Sequence, residues 1–447
     1  MKNLIAFISA SLIVFSVHAA PKKGLVQEGA FVFDKDKRLL KSFMANKDLV
    51  IDHMSKSGYE VYGPAGLIKW IKILGLNYLD LAQINQSNEK AFAQYPTPEE
   101  VGSAIKKLVN DNPDILKLQS LGKSREGRDL WMVKLSDNVQ VDEVEPEVKY
   151  IANMHGDEIV GRELMVLLLE DLVERYRLGE QDITRLIDNS EVYIMPSMNP
   201  DGANRKIRGN GSWVDLNRDF PDFTTSDNRN TRDGREPETQ AIMDFQATRK
   251  FALSANFHGG TEVVNYPWDT SPDPAPLTPL IESLSREYAS QVPSMRDSRE
   301  FQDGIVNGYA WYEVDGGMQD WSYNWYGDLQ VTIELSHSKW PNYSTIPGYF
   351  AKNRWSLVRY LLRVHQGAGF YFDDRNTSGK AKIVKLEANG SETVIGEFPF
   401  TGEYYKILEE GNYRFEVSGG QQGSQSFVTK ASFSAPAREN GNYHQLN

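Results

Sequence analysis

Lys2 precedes an apolar run from Leu4 to Val17, which closes on Val17-His18-Ala19. A charged start, a run too short to cross a bilayer and a small-x-small exit have the layout of a secretory leader, so residues 1–19 are expected to be a signal peptide. A second pattern begins at Thr97-Pro98-Glu99-Glu100, a helix cap with proline at the first helical position and the glutamate of a capping box. Val101, Ala104, Ile105, Leu108 and Val109 then share one helical face up to Asn112-Pro113. Beyond it, strand-like runs at Leu130–Leu135, Lys149–Asn153, Val192–Met195, Phe251–Phe257 and Leu329–Leu335 alternate with helical periods near 158–177, 236–249, 275–291 and 346–366. Such alternation predicts an α/β unit, a sheet with helices on both faces.

After Gly369 the period shortens to two. Tyr413, Phe415 and Val417 face one way and Arg414 and Glu416 the other, with turn signals at Asn389-Gly390 and Glu410-Gly411-Asn412. This predicts a small all-β antiparallel sandwich. The chain therefore divides into a leader (1–19), an N-terminal segment (20–92), an α/β unit (93–368) and a β-sandwich (369–447). The second of these carries no recognisable chemistry. Its apolar content suits either a removable pro-segment or a small accessory domain.

Composition narrows the function. Among 447 residues, 61 Asp and Glu oppose 49 Lys and Arg, a net charge of −12, which disfavours nucleic acid and anionic membranes as partners. No cysteine is present, so disulfides, thiolate metal sites and a cysteine nucleophile are excluded. No later run matches the leader in length, so no membrane span is expected, and the chain is expected to work as a monomer.

Histidine is scarce enough to inspect residue by residue. His155 and Glu158 stand three apart after a strand, read as a helix start that turns both side chains to one side and suits a metal such as zinc. His258 ends an apolar strand before two glycines, where open α/β sheets place their sites. His53, His337, His365 and His444 have no such neighbours and are read as structural or surface residues. Glu334 lies inside the apolar strand Val331-Thr-Ile-Glu334-Leu, either facing a cleft or paired in a buried salt bridge. Further clusters are Asn199-Pro-Asp-Gly202, Arg208…Asp215-Leu-Asn217-Arg218 and Gly316-Gly317-Met318-Gln319-Asp320-Trp321.

Taken in order, H-x-x-E, N-P-D-G, R-x-N…D-L-N-R-D-F-P, F-H-G-G, G-G-M-Q-D-W and I-E-L-S resemble the zinc metallocarboxypeptidases, specifically their N/E (carboxypeptidase D-like) subfamily. The resemblance spans about residues 95–365, and the following sandwich is similar to that subfamily's transthyretin-like domain. Residues 20–92 are outside it. The resemblance implies a mixed sheet and one zinc per chain, held by His155, Glu158 and His258, with Asp215 orienting a ligand histidine. It implies that Glu334 moves the proton of the attacking water and that Arg208 stabilises the oxyanion. Asn217 and Arg218 would grip the substrate's terminal carboxylate, and Tyr312 would close over it. Gln319 and Asp269 would line the pocket for the departing side chain and favour C-terminal Lys or Arg.

Other assignments stay open for several of these residues. Asp215 could serve only as a partner for Arg208 or Arg218, Tyr312 could be a core residue, and Asp269 could cap a turn with Thr270 and Ser271. The implied function is a secreted or periplasmic peptidase acting on peptide or protein C-termini. The alternatives are a carboxypeptidase or amidase of cell-wall peptides and an inactive peptidase-like binding protein. Asn210-Gly211-Ser212 is a glycan acceptor pattern beside the expected cleft, which with the short leader favours a bacterial host.

Overall fold

The computed structural model describes residues 25–86, 95–419, 424–431 and 443–446. The expected leader, 1–19, lies outside the described residues. Three sheets carry the chain. The first contains β1 (Glu28–Phe33), β2 (Val50–Asp52), β3 (Gly58–Gly63) and β4 (Tyr78–Asp80) in the order β2-β3-β1-β4, with every neighbour antiparallel. Alternation puts Ala30 and Val32 of β1 and Tyr59 and Val61 of β3 on one face, where they meet Phe43 and the helix residues Leu67 and Ile71.

The second sheet is the centre of the molecule. Its strands are β5 (Leu116–Lys123), β6 (Asp129–Leu135), β7 (Glu147–Ala152), β8 (Glu191–Met195), β9 (Phe251–His258), β10 (Glu262–Tyr266), β11 (Ile305–Asn307) and β12 (Leu329–Leu335). They lie in the order β11-β10-β12-β9-β7-β8-β6-β5. The four inner strands β12, β9, β7 and β8 are parallel, and β10, β6 and β5 run antiparallel to their inward neighbours, so the sheet is mixed. Both faces are covered. Val148, Tyr150 and Ala152 of β7 join a core with Leu164 and Leu168 of helix Val160–Arg177, Leu284 of helix Thr278–Gln291 and Leu357 of helix Ile346–Leu362. Ile151 points the other way, to Ile242 of helix Pro237–Ala247 and to Met318 and Trp321 of helix Met318–Tyr326. Burial on two faces is why the inner strands read as continuous apolar runs. The expected capping box forms at Thr97, which accepts from the Glu100 amide while Glu100 accepts from the Thr97 amide.

One buried charge crosses the second of these layers. Lys149 on β7 donates to Gln246 (2.8 Å) and Ser254 (3.1 Å) and pairs with Asp328. Removing one member of a buried pair strands the other, so Asp328→Ala should cost about 3–5 kcal/mol. A urea midpoint equal to that of the unmodified chain would contradict this.

The third sheet holds β13 (Gly367–Phe372), β14 (Ser378–Leu386), β15 (Glu392–Thr401), β16 (Glu403–Ile407), β17 (Gly411–Gly419), β18 (Gln425–Ala431) and β19 (Tyr443–Leu446), in the order β18-β17-β14-β15-β16-β13-β19. β15 and β16 share one pairing, Thr401 with Glu403, and the sheet folds there into two layers. Phe370 meets Phe400 (5.0 Å), Phe427 (6.1 Å) and Phe415 (6.3 Å) between them. The alternation expected at 413–417 holds, with Tyr413, Phe415 and Val417 buried. The expected antiparallel β-sandwich is present, and among its described pairings only β19 beside β13 runs parallel. A period of two reports which side chains face inward but not the direction of the strand alongside.

Candidate active site

The site lies where the inner parallel strands end. Beyond β7 the chain turns at Asn153, whose side-chain amide donates to the carbonyls of His155 (2.9 Å) and Glu158 (3.3 Å). His155 and Glu158 therefore share a turn ahead of the helix that begins at Val160, closed by the Glu158 amide on the His155 carbonyl at 3.2 Å. This corrects the expected helix start: the turn, not helical spacing, brings the two side chains together. The Asn199 side chain receives the Gly202 amide (2.8 Å) and donates to the carbonyls of Met154 (3.0 Å) and Arg208 (3.3 Å), so the N-P-D-G segment braces this turn.

His258 closes β9, and Glu334 on β12 is its register partner across the parallel pair, which puts both side chains on one face of the sheet. His155 Nδ1 and His258 Nδ1 are each 3.0 Å from Glu158 Oε2 and 3.0 Å from one another. The three residues are buried and their donor atoms lie within 4.8 Å of each other. The remaining ring nitrogens are occupied, Nε2 of His155 by Asp215 Oδ1 (2.9 Å) and Nε2 of His258 by the Asn256 side-chain amide (2.7 Å). Two imidazoles and a carboxylate converging through one atom each, with both rings oriented from behind, fit a single zinc ion that keeps an open position. Burial and the nearby Arg208 oppose a charge on His155, but Glu158 and Asp215 outweigh them and push its pKa up to about 9.

Asp215 fills two of the roles left open for it. Its Oδ1 meets His155, and its Oδ2 accepts from Arg208 Nε at 2.9 Å. Arg208 also reaches Glu158 Oε1 (3.3 Å). Asn217 accepts the Met318 amide (3.0 Å), and Arg218 lies next to it, donating to the Asn217 carbonyl (2.9 Å). Glu334 is buried, and its Oε2 has no hydrogen-bond partner.

Tyr312 is buried too, and its hydroxyl donates to Asp52 Oδ1 at 2.5 Å. Asp269 does not cap Thr270 and Ser271. Asp320 takes that part, accepting from the amides of Asp269 (2.8 Å) and Thr270 (2.9 Å). The Asp269 carboxylate faces inward, where its Oδ1 receives the side-chain amides of Gln319 (3.0 Å) and Asn265 (3.1 Å). Gly308 backs this carboxylate, and a Cβ there would overlap it. Burial raises Asp269 to about 7, against the pull of the Asn265 bond and the Arg218 charge and with Asp222 adding to the rise.

Two sequence expectations need correction here. His53, read as structural or surface, is buried in the site with Nε2 at 3.7 Å from Glu334 Oε1. Nothing in its local sequence marks it, because its neighbours come from β12 and from its own sheet. Asn210 is buried and its amide donates to Glu236 (3.0 Å) and Glu238 (2.9 Å). The folded chain offers no acceptor for a glycan there, and the inference about the host drawn from that pattern falls away.

A profile of the zinc carboxypeptidases matches residues 101–356. Mouse carboxypeptidase M is 38% identical over 365 residues, covering 75% of this chain and 80% of its own. The catalytic chain of mouse carboxypeptidase N is 35% identical over 352 residues, covering 69% and 76%. Human carboxypeptidase D is 38% identical over 342 residues, 70% of this chain but 24% of its own length, so the chain spans about a quarter of that relative. The carboxypeptidase A of Helicoverpa armigera shares the fold, with a TM-score of 0.60 at 19% identity, over 77% of this chain and 98% of the other. The chain belongs to the zinc carboxypeptidases. Within them it falls in the N/E subfamily, with carboxypeptidases D, M and N as relatives.

Proposed function

We propose that this enzyme removes C-terminal Lys or Arg from peptides. One observation carries the preference. Around the Asp269 carboxylate, the side-chain oxygens of Asn265 and Gln319 are buried acceptors with no partner. Those two oxygens beside a carboxylate are satisfied by an ammonium or guanidinium group, whereas a Phe or Leu side chain would leave both unpaired.

The remaining residues follow from where the peptide must lie. Arg218 and Asn217 would hold its terminal carboxylate, the guanidinium fork matching a planar acceptor, and Tyr312 would cover it. Glu334, with a free oxygen, would take the proton of the attacking water and pass it to the leaving amine. Arg208, held by Asp215, would stabilise the charge that develops on the carbonyl oxygen. Zinc, when bound, polarises that carbonyl and acidifies the water.

Peptides identical except for a final Arg or Phe test the pocket. The Arg peptide should win in kcat/KM, and Asp269→Asn should reduce that advantage at least roughly tenfold, the worth of a hydrogen bond to a charge. Below about pH 7 Asp269 is protonated and cannot pair with a cation, and above it the carboxylate is ionised. The Arg-to-Phe ratio should therefore rise from pH 6 to pH 8 and stay flat in Asp269→Asn. Equal rates on the two peptides at pH 8 would refute the pocket assignment.

We also infer that the enzyme acts outside the cytoplasm, secreted or periplasmic, on the strength of the leader-like start. Among the described residues no helix is long and apolar enough to cross a membrane. The animal and plant relatives give no support to a bacterial origin.

A further inference from the structure

The residues assigned to substrate are already engaged, by the N-terminal sheet. At the tip between β2 and β3, the Asp52 carboxylate pairs with Arg208 through one oxygen and accepts the Tyr312 hydroxyl through the other. The neighbouring Ile51 carbonyl accepts from Arg218 Nη2 at 3.1 Å. His53 follows at φ +43°, with its ring against Gly260, where a Cβ would overlap it, and its Nε2 towards Glu334. Three consecutive residues thus face the oxyanion arginine, the carboxylate-binding arginine, the closing tyrosine and the proton-transferring glutamate.

The tip is also supported from behind. Lys339 bridges Glu60 (2.8 Å) and the Tyr62 hydroxyl (2.7 Å) of β3, Arg208 lies over the Tyr62 ring (4.9 Å), and Trp311 donates to the Met54 carbonyl (2.9 Å). Burial would favour a neutral Asp52, but Arg208, His53 and Lys339 hold it ionised. A buried carboxylate kept anionic by the arginine of the site is the chemistry of a peptide's own end.

We propose that the N-terminal sheet is an autoinhibitory plug, with Ile51-Asp52-His53 occupying the subsites of the scissile residue in place of a substrate. This rests on the functional reading above for the roles of Arg208, Arg218 and Tyr312. Of the two uses that the sequence leaves open for residues 20–92, it favours the pro-segment. A ligand sees only the fraction of molecules in which the tip has left, so its apparent affinity falls by that fraction.

The test uses the full zinc-loaded chain, unmodified or as Asp52→Ala and Asp52→Asn. The probe is benzoyl-Gly-Arg with its scissile amide replaced by a ketomethylene group, and the cleavable parent peptide gives turnover. The variants should bind the probe at least tenfold more tightly and cleave the parent with kcat/KM raised by a similar factor. Tighter binding without turnover in any form would uphold the plug and refute the peptidase reading. Equal probe affinity in folded variants and the unmodified chain would overturn the plug. Should the variants fail to fold, hydrogen exchange on the unmodified chain decides. Saturating probe should speed exchange of the amides at 50–53, and unchanged protection there would overturn the proposal.

Discussion

Stripping the protein with a chelator should abolish peptide hydrolysis, and about one equivalent of zinc per chain should restore it. The donor set makes the dependence strong. His155 Nδ1 and His258 Nδ1 face each other at 3.0 Å with the Glu158 carboxylate against both, an arrangement that a shared cation satisfies and one shared proton satisfies only in part. Their outer nitrogens are fixed by Asp215 and Asn256, so the rings cannot turn away to find other partners. Binding should therefore be visible without turnover, as a rise in melting temperature on zinc addition that His258→Ala loses. Full activity in a protein whose metal content is zero by elemental analysis would refute the assignment.

Glu334→Gln should lower turnover at least roughly a hundredfold, the usual worth of a positioned general base. The amide keeps the volume and polarity of the carboxylate in a strand buried on all sides, so the fold and zinc content should be unchanged. It cannot accept a proton from water. The measurement belongs in both the unmodified chain and the Asp52→Ala background, since the tip that carries His53 lies against the same carboxylate. A rate within a few-fold of the unmodified enzyme in both would remove Glu334 from the chemistry.

How far the sequence could be read follows from the reach of its interactions. Elements set by local periodicity stand where the pattern puts them: the capped helix at 98, the five expected strand runs of the central sheet and the alternating strand at 411–419. The short strands Glu262–Tyr266 and Ile305–Asn307 at one end of the sheet escape such a reading, because each is held by its neighbours and carries too few residues to show a period. His258 was legible at the end of an apolar strand before two glycines, while His155 and Glu158 gave only a weak H-x-x-E, and the full donor set rested on the order of the motifs. The turn that joins His155 to Glu158 was not legible, since Asn153 and Asn199 build it from two separate segments.

By itself, then, the sequence determined the class of the enzyme and its donor set, through the order of short motifs that resemble one family. Only the tertiary structure decided what each polar side chain does once buried. Asp215 serves His155 and Arg208 together, Asp269 turns inward to Gln319 and Asn265 while Asp320 caps the turn, and Asn210 is sealed from solvent. The same holds for Asp52 and His53, which carry no motif and meet Arg208, Tyr312 and Glu334 across 156 to 281 positions of chain. Contacts of that separation are made when sheets pack against one another, and no local pattern of hydrophobic and polar residues encodes which partner a buried charge will find.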